Sequence, residues 1–203
     1  MARVSMDRRR QDFIEATVRV IGERGVRGAT TRRIAEAAEA PLATLHYVFH
    51  TKEQLFFAVF EHASDQLLER ISASRGSSGL GKTAVSLLST TMNWYVENDD
   101  YARAQFDLYM WALRQEEEHP GLATRAYDLF IDRFVDVLRK DLANDDDPQL
   151  VEPLARIVAS HLDGLCLQWH GYGDRGRLDA DVALAGEAIE LLVESRRGRH
   201  GAS

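Results

Sequence analysis

Residues 25–55 read GVRGATTRRIAEAAEAPLATLHYVFHTKEQL, and the fold follows from where this stretch is cut into helices. The Gly25-Val26-Arg27-Gly28 corner closes a preceding run, from about Arg8 to Arg24, in which Phe13, Ile14, Val18 and Ile21 recur at helical spacing. Thr30 and Thr31 then offer a hydroxyl cap for a short second helix with Ile34, Ala35 and Ala38 as its buried stripe. That helix ends near Glu39-Ala40-Pro41. Proline cannot continue a helix but suits the first turn of a new one, so a third helix is expected from about Pro41 to Val48, with Thr44 and Leu45 inside it. Thr51 can cap a fourth, with Glu53 and Gln54 in its first turn, running to about Ser74. Two short helices joined by a tight corner behind a longer one make a helix-turn-helix in a three-helix bundle, although other small bundles share that geometry.

Further along, the apolar spacing predicts helices near 80–97, 100–118, 120–142, 148–171 and 179–196, nine in all, with no sustained strand alternation. The expected class is all-α. A chain of 203 residues exceeds what one helix-turn-helix needs, so the expected division is 1–51 for that unit and 52–203 for a larger helical domain. No run approaches 18 apolar residues, and MARVSMDRRRQ at the start lacks the core of a signal peptide, so a cytoplasmic protein without a membrane partner is expected. The one cysteine, Cys166, lies between Leu165 and Leu167 and reads as core. Net charge is −7, unevenly spread: residues 1–52 hold ten Lys or Arg against six Asp or Glu (+4), and the remainder holds 15 against 26 (−11). A basic head on an acidic body would turn one end toward a polyanion.

Gly76-Ser77-Ser78-Gly79-Leu80-Gly81-Lys82-Thr83 satisfies the phosphate-loop pattern letter for letter. That chemistry needs a buried strand leading into the loop, whereas Gln66 to Ser72 is helical in pattern and no later apolar strand ends in a metal-binding aspartate. The glycines read as a helix-to-helix loop. A second enzymatic reading, using His161 and Asp163, is disfavoured because residues two apart on a helix face different ways. His50 and His62 lack metal-ligand spacing, so no enzyme, metal or cofactor is expected.

The stretch Ala29-Thr30-Thr31-Arg32-Arg33-Ile34-Ala35-Glu36-Ala37-Ala38, followed by Thr44-Leu45-x-Tyr47-x-Phe49-x-Thr51-Lys52-Glu53-x-Leu55, closely resembles the signature of TetR-family transcriptional regulators. The resemblance implies a dimeric, ligand-responsive regulator, most often a repressor, whose third helix enters the major groove of a palindromic operator. It nominates Arg32, Leu42, Ala43, Thr44 and His46 for base edges, and Thr31, Tyr47 and Lys52 for phosphates. Arg8 to Arg10 are candidates for flanking backbone. Structural alternatives stay open for Tyr47 (core aromatic), Lys52 (solvated cap) and the arginines (frayed start). The chain departs from the family pattern in three places: Glu39 stands where the corner usually has glycine, Leu42 and Ala43 where a polar residue is common, and His46 where tyrosine is usual. Leu42 and Ala43 can meet a thymine methyl but cannot donate to a base.

The resemblance also implies a sensing domain. Met92, Trp94, Tyr95, Phe106, Tyr109, Met110 and Trp111, with His161 and Trp169, are candidates to line a pocket for a small apolar or aromatic effector of unknown identity. Aromatic stripes at helical spacing also build ordinary cores. The Asp163-Gly164-Leu165 segment resembles the family's dimerising helices; Leu154, Ile157, Val158, Leu165, Ala183, Ala188, Leu191 and Leu192 are candidates for a two-fold bundle, with Gly186 permitting close approach. The same face could instead pack within one chain.

Overall fold

The computed structural model describes residues 5–73 and 79–200. Among these residues there are nine α-helices, one 3-10 turn and no strand: α1 (Met6–Gly28), α2 (Thr31–Ala37), α3 (Leu42–Val48), α4 (Lys52–Ala73), α5 (Leu80–Glu97), α6 (Asp99–Arg114), α7 (Leu122–Lys140), the 3-10 turn (Pro148–Leu150), α8 (Val151–Tyr172) and α9 (Arg175–His200). The all-α expectation stands. No described helix is long and apolar enough to cross a membrane. The described residues form two compact units, one of residues 5–65 with 98–129, the other of residues 66–73 and 79–97 with 130–200.

In the first unit α1 packs on α6, α2 and α3. Ser5 caps α1 by accepting from the Arg8 amide, and Gly25 breaks it internally at φ 66°, ψ 169°, a conformation that a residue with a Cβ rarely adopts. The hydroxyl of Thr30, rather than Thr31, caps α2 by accepting from the Arg33 N–H. Thr51 caps α4 through the Gln54 N–H while the Gln54 side chain accepts from the His50 N–H, a reciprocal pair of the capping-box kind. Phe13, Ile14, Ile21, Ile34, Leu45, Phe49, Leu55 and Phe56 are all buried. Phe13 meets Phe49 edge-on at 6.5 Å, so α1 is clamped to the residue that ends α3.

In the second unit α5 packs on α8 and α9. Glycines set the α5–α9 approach: a Cβ on Gly186 would lie 3.2 Å from Val85, and one on Gly81 would lie 3.6 Å from Val193. Close approach at Gly186 thus serves packing within the chain, not the two-fold contact expected for it. Helix α9 begins four residues earlier than its apolar period suggests, because Asp174 caps it by accepting from the Arg177 N–H and Gly173 turns the chain at φ 62°. Cys166 is buried, as expected.

Candidate nucleic-acid interface

The corner between α2 and α3 is a Schellman turn. The Glu39 N–H donates to Glu36 O at 3.1 Å and the Ala40 N–H to Ala35 O at 3.0 Å, which ties off the last carbonyls of α2. This geometry demands a left-handed residue after the helix, and Glu39 supplies it at φ 49°, the one non-glycine at positive φ among the described residues. Glu39 therefore bears the strain that glycine would avoid. Pro41 follows as the N-cap of α3, extended at φ −61°, and its carbonyl accepts from the Thr44 and Leu45 amides.

Helix α3 is two turns long and two-faced. Leu45 is sealed into the core, while Leu42 is 38% exposed, Tyr47 is 71% exposed, and Ala43 and His46 are also exposed. Tyr47 is therefore not a core aromatic. Next to α3, Arg32 lies on the exposed side of α2 and pairs with Glu36 at 3.2 Å. Thr31 is half-buried in the first turn of α2, where the helix dipole favours an anion. Lys52 opens α4 half-buried, its Nζ 4.8 Å from the Phe56 ring centroid and 6.0 Å from that of Trp111. Burial lowers the pKa of this ammonium from its ordinary value. The N-terminal arginines are engaged locally: Arg8 and Arg9 with Asp12, and Arg10 with Glu61 at 2.8 Å while stacked over Phe49.

The family model described as "Bacterial regulatory proteins, tetR family" matches residues 13–59, from the middle of α1 into α4. The chain belongs to the TetR family. This TetR-family regulator is 29% identical over 168 residues to the nicotine-responsive transcriptional repressor HdnoR of Paenarthrobacter nicotinovorans, covering 82% of this chain and 86% of the relative. It is 27% identical over 200 residues to the transcriptional regulator BetI of Rhizobium meliloti, covering 96% and 95%. Among solved structures it is similar to the multidrug binding protein EbrR complexed with ethidium, at a TM-score of 0.67 and 26% identity over 91% of this chain and 98% of that one. The family model and the two curated relatives are of transcription regulators rather than enzymes, and the chain is a transcriptional regulator.

The phosphate-loop motif falls accordingly. Gly76 to Ser78 lie outside the described residues, but Gly81, Lys82 and Thr83 belong to the first turn of α5, and the amide at its start is already taken. The Leu80 N–H donates at 2.7 Å to Asp146, whose fully buried carboxylate also accepts from the Ala143 N–H and from Arg197 at 2.6 Å. A carboxylate thus occupies the place where a phosphate would sit. Burial pushes the Asp146 carboxyl up, but the Ala143 amide, Arg197 and the Leu80 amide outweigh it and hold the group below the usual carboxylate range.

The other expected site residues divide between the units. In the first, Tyr109 meets Tyr127 edge-on at 4.5 Å, and Trp111 meets Phe56 at 5.4 Å and His119 at 5.0 Å. Phe106 is half-buried, whereas Met110 is exposed, because 100° per residue carries it off the arc formed by Gln105, Leu108 and Ala112. In the second unit Met92 and Trp94 are buried, Trp94 leaning on Tyr95 at 5.6 Å. His161 bonds its own helix at Ile157 O, and Trp169 borders a cleft with Leu165, Tyr172 and Arg177. Of the expected dimer residues, Leu154, Val158 and Leu165 are core within the unit; Ile157 and Leu192 are half-buried, and Ala183, Ala188 and Leu191 face outward. Leu167, Tyr172 and Leu184, also exposed, escaped the sequence reading, although the seven-residue step from Leu184 to Leu191 signals one shared face.

Proposed function

We propose that the chain is a repressor that binds a palindromic operator as a homodimer through α3 and is released by a small apolar or aromatic effector. The observation that carries this reading is the outward face of α3. A seven-residue helix with a sealed core side and an unburied tyrosine, leucine and histidine has more apolar surface in water than packing explains. Leu42, Ala43, Thr44, His46 and Arg32 meet base edges, with the apolar pair against thymine methyls; Thr31, Tyr47 and Lys52 hold phosphates. In this division residues 1–51 form the DNA-reading unit, joined at its boundary by Lys52, and the domain 52–203 otherwise binds the effector and dimerises.

The dimer is supported by two outward stripes in the second unit. Leu184, Ala188 and Leu191 share one face of α9, and Ile157, Ser160, Gly164, Leu167 and Gly171 share one face of α8. A Cβ on Gly164 or Gly171 would meet nothing within 4 Å, which leaves room for a partner helix to come close. Effector contact is proposed in this unit at Met92, Trp94, Tyr95, His161 and Trp169. Ethidium and malachite green, the ligands of two EbrR complexes, are aromatic cations; because ethidium itself intercalates into duplex DNA, malachite green is the suitable first probe of operator release.

Genome-wide selection of bound fragments, followed by anisotropy on the selected duplex, tests the reading. A two-fold symmetric site bound by two protomers, with affinity falling as malachite green saturates the protein, is the expected result. Selection of no common sequence, or a selected half-site bound by one protomer, overturns it.

A further inference from the structure

Lys52 is not a loose surface lysine. It is the first residue of α4, four positions past the end of α3, and its stem crosses the first turn so that Nζ lies over the ring of Phe56, a residue with no exposed surface. Trp111 of α6 stands edge-on to that ring at an interplanar angle of 89°, its own ring 6.0 Å from the same Nζ. Trp111 also meets His119 at 5.0 Å, and His119 Nδ1 hydrogen-bonds Glu53, the residue after Lys52. The chain of contacts Lys52, Phe56, Trp111, His119, Glu53 therefore closes on itself at the start of α4.

We infer that Phe56 and Trp111 are positioning residues for DNA binding, pinning the Lys52 ammonium on its aromatic side so that its open side meets a phosphate beside the recognition helix. The inference rests on the phosphate contact proposed for Lys52 above. A free lysine surrenders most of its rotamer freedom when it settles on one phosphate. Here the ring faces settle it beforehand, and cation–π attraction holds it there. The half-burial that lowers its pKa is the desolvation that such a seat entails. Two arms of the site are thereby assigned different work: the lysine supplies charge, and the rings supply geometry.

The test is a double-mutant cycle on affinity for a random-sequence 30-base-pair duplex, read across a salt series. Lys52→Met should weaken binding and flatten the salt slope by about one per lysine removed. Trp111→Leu should weaken binding roughly three- to tenfold with the slope unchanged, and should cost almost nothing further in the Lys52→Met background. An equal loss from Trp111→Leu in both backgrounds would mean ordinary packing and overturn the inference. Unchanged affinity and slope in Lys52→Met would instead refute the phosphate contact itself. If Trp111→Leu does not fold, NMR of the unsubstituted protein decides. Upfield ring-current shifts of the Lys52 methylene protons should persist when DNA is added, and their return to ordinary positions would show that the lysine leaves its seat.

Discussion

Replacing Glu39 with glycine should stabilise the protein. The residue closes the α2 Schellman turn at φ 49°, and two backbone hydrogen bonds on either side of it leave the chain no other conformation there. Holding an L-residue with a Cβ in the left-handed region costs about 1–2 kcal/mol. Glycine removes that cost but is freer in the unfolded chain, which returns about 0.4–1 kcal/mol. The Glu39 side chain is exposed and makes no described hydrogen bond or ion pair, so little else is lost. The net gain should be roughly 0.5–1 kcal/mol, or about 1–4 °C in melting temperature for a domain of this size. Urea unfolding should show a higher midpoint at unchanged slope. As a control, Glu39→Val should lose stability, since a β-branched residue is worse still at positive φ. A midpoint that falls or stays put in Glu39→Gly, with Glu39→Val no worse than the parent, would refute the strain argument.

Four further outcomes are expected. Asp146→Ala should cost roughly 2–4 kcal/mol by stripping Leu80, Ala143 and Arg197 of a buried partner; because the folded carboxyl titrates below its unfolded value, this stability is present above about pH 4 and is lost as pH falls through the folded value, so the gap between parent and variant measured by urea unfolding should close in acid. The parent protein should show no Mg²⁺-dependent ATP hydrolysis, and Lys82→Ala should bind DNA as the parent does; turnover abolished by that substitution would restore the nucleotide reading. Leu191→Asp should shift sedimentation toward monomer and weaken operator binding together, and a dimer that survives it places the two-fold contact elsewhere. The slope of log affinity against log salt should fall between about −4 and −9, measured by anisotropy on one operator duplex.

The elements most legible in the sequence were those whose ends carry their own chemistry. Thr30, Pro41 and Thr51 mark helix starts by hydroxyl or ring, and the Ile34, Leu45 and Phe49 core follows from period alone. Helix α9 was misplaced at its start because Arg175, Gly176 and Arg177 show no apolar period, and the Asp174 cap is a local signal easily passed over. Leu154 and Val158 look like interface residues to any pattern of hydrophobicity, since nothing in one sequence distinguishes a helix face turned to its own unit from one turned to a partner. Glu39 was legible as a fork: either the turn avoids the left-handed region or the residue is strained, and only backbone geometry chooses. Asp146 was invisible, because its carboxylate caps a helix 66 residues away.

The charge count of the head overstates what it can offer to DNA. Nine described cations precede residue 53, Arg3 of the ten lying outside the described residues. Nine per protomer on two protomers would give a slope near −16 if each met a phosphate. Several are spent inside the protein, however: Arg19 donates to Ala37 O, Arg33 to Gly28 O, and Arg10 holds Glu61. These three fasten α2 and α4 in place, and diverting them would loosen the helix-turn-helix that presents α3. Arg8 and Arg32 are different, being mostly exposed and paired only four residues along their own helices, contacts worth a few tenths of a kcal/mol that a phosphate can replace. With exposed Arg24 and Arg27 and the seated Lys52, that leaves two to five usable cations per protomer, hence roughly −4 to −9. Fewer phosphate contacts mean a weaker hold on DNA of any sequence. On the base contacts proposed above, discrimination rests more heavily on the apolar face that Leu42 and Ala43 give to α3, and Leu42→Ala should erode specificity while leaving the salt slope as it was.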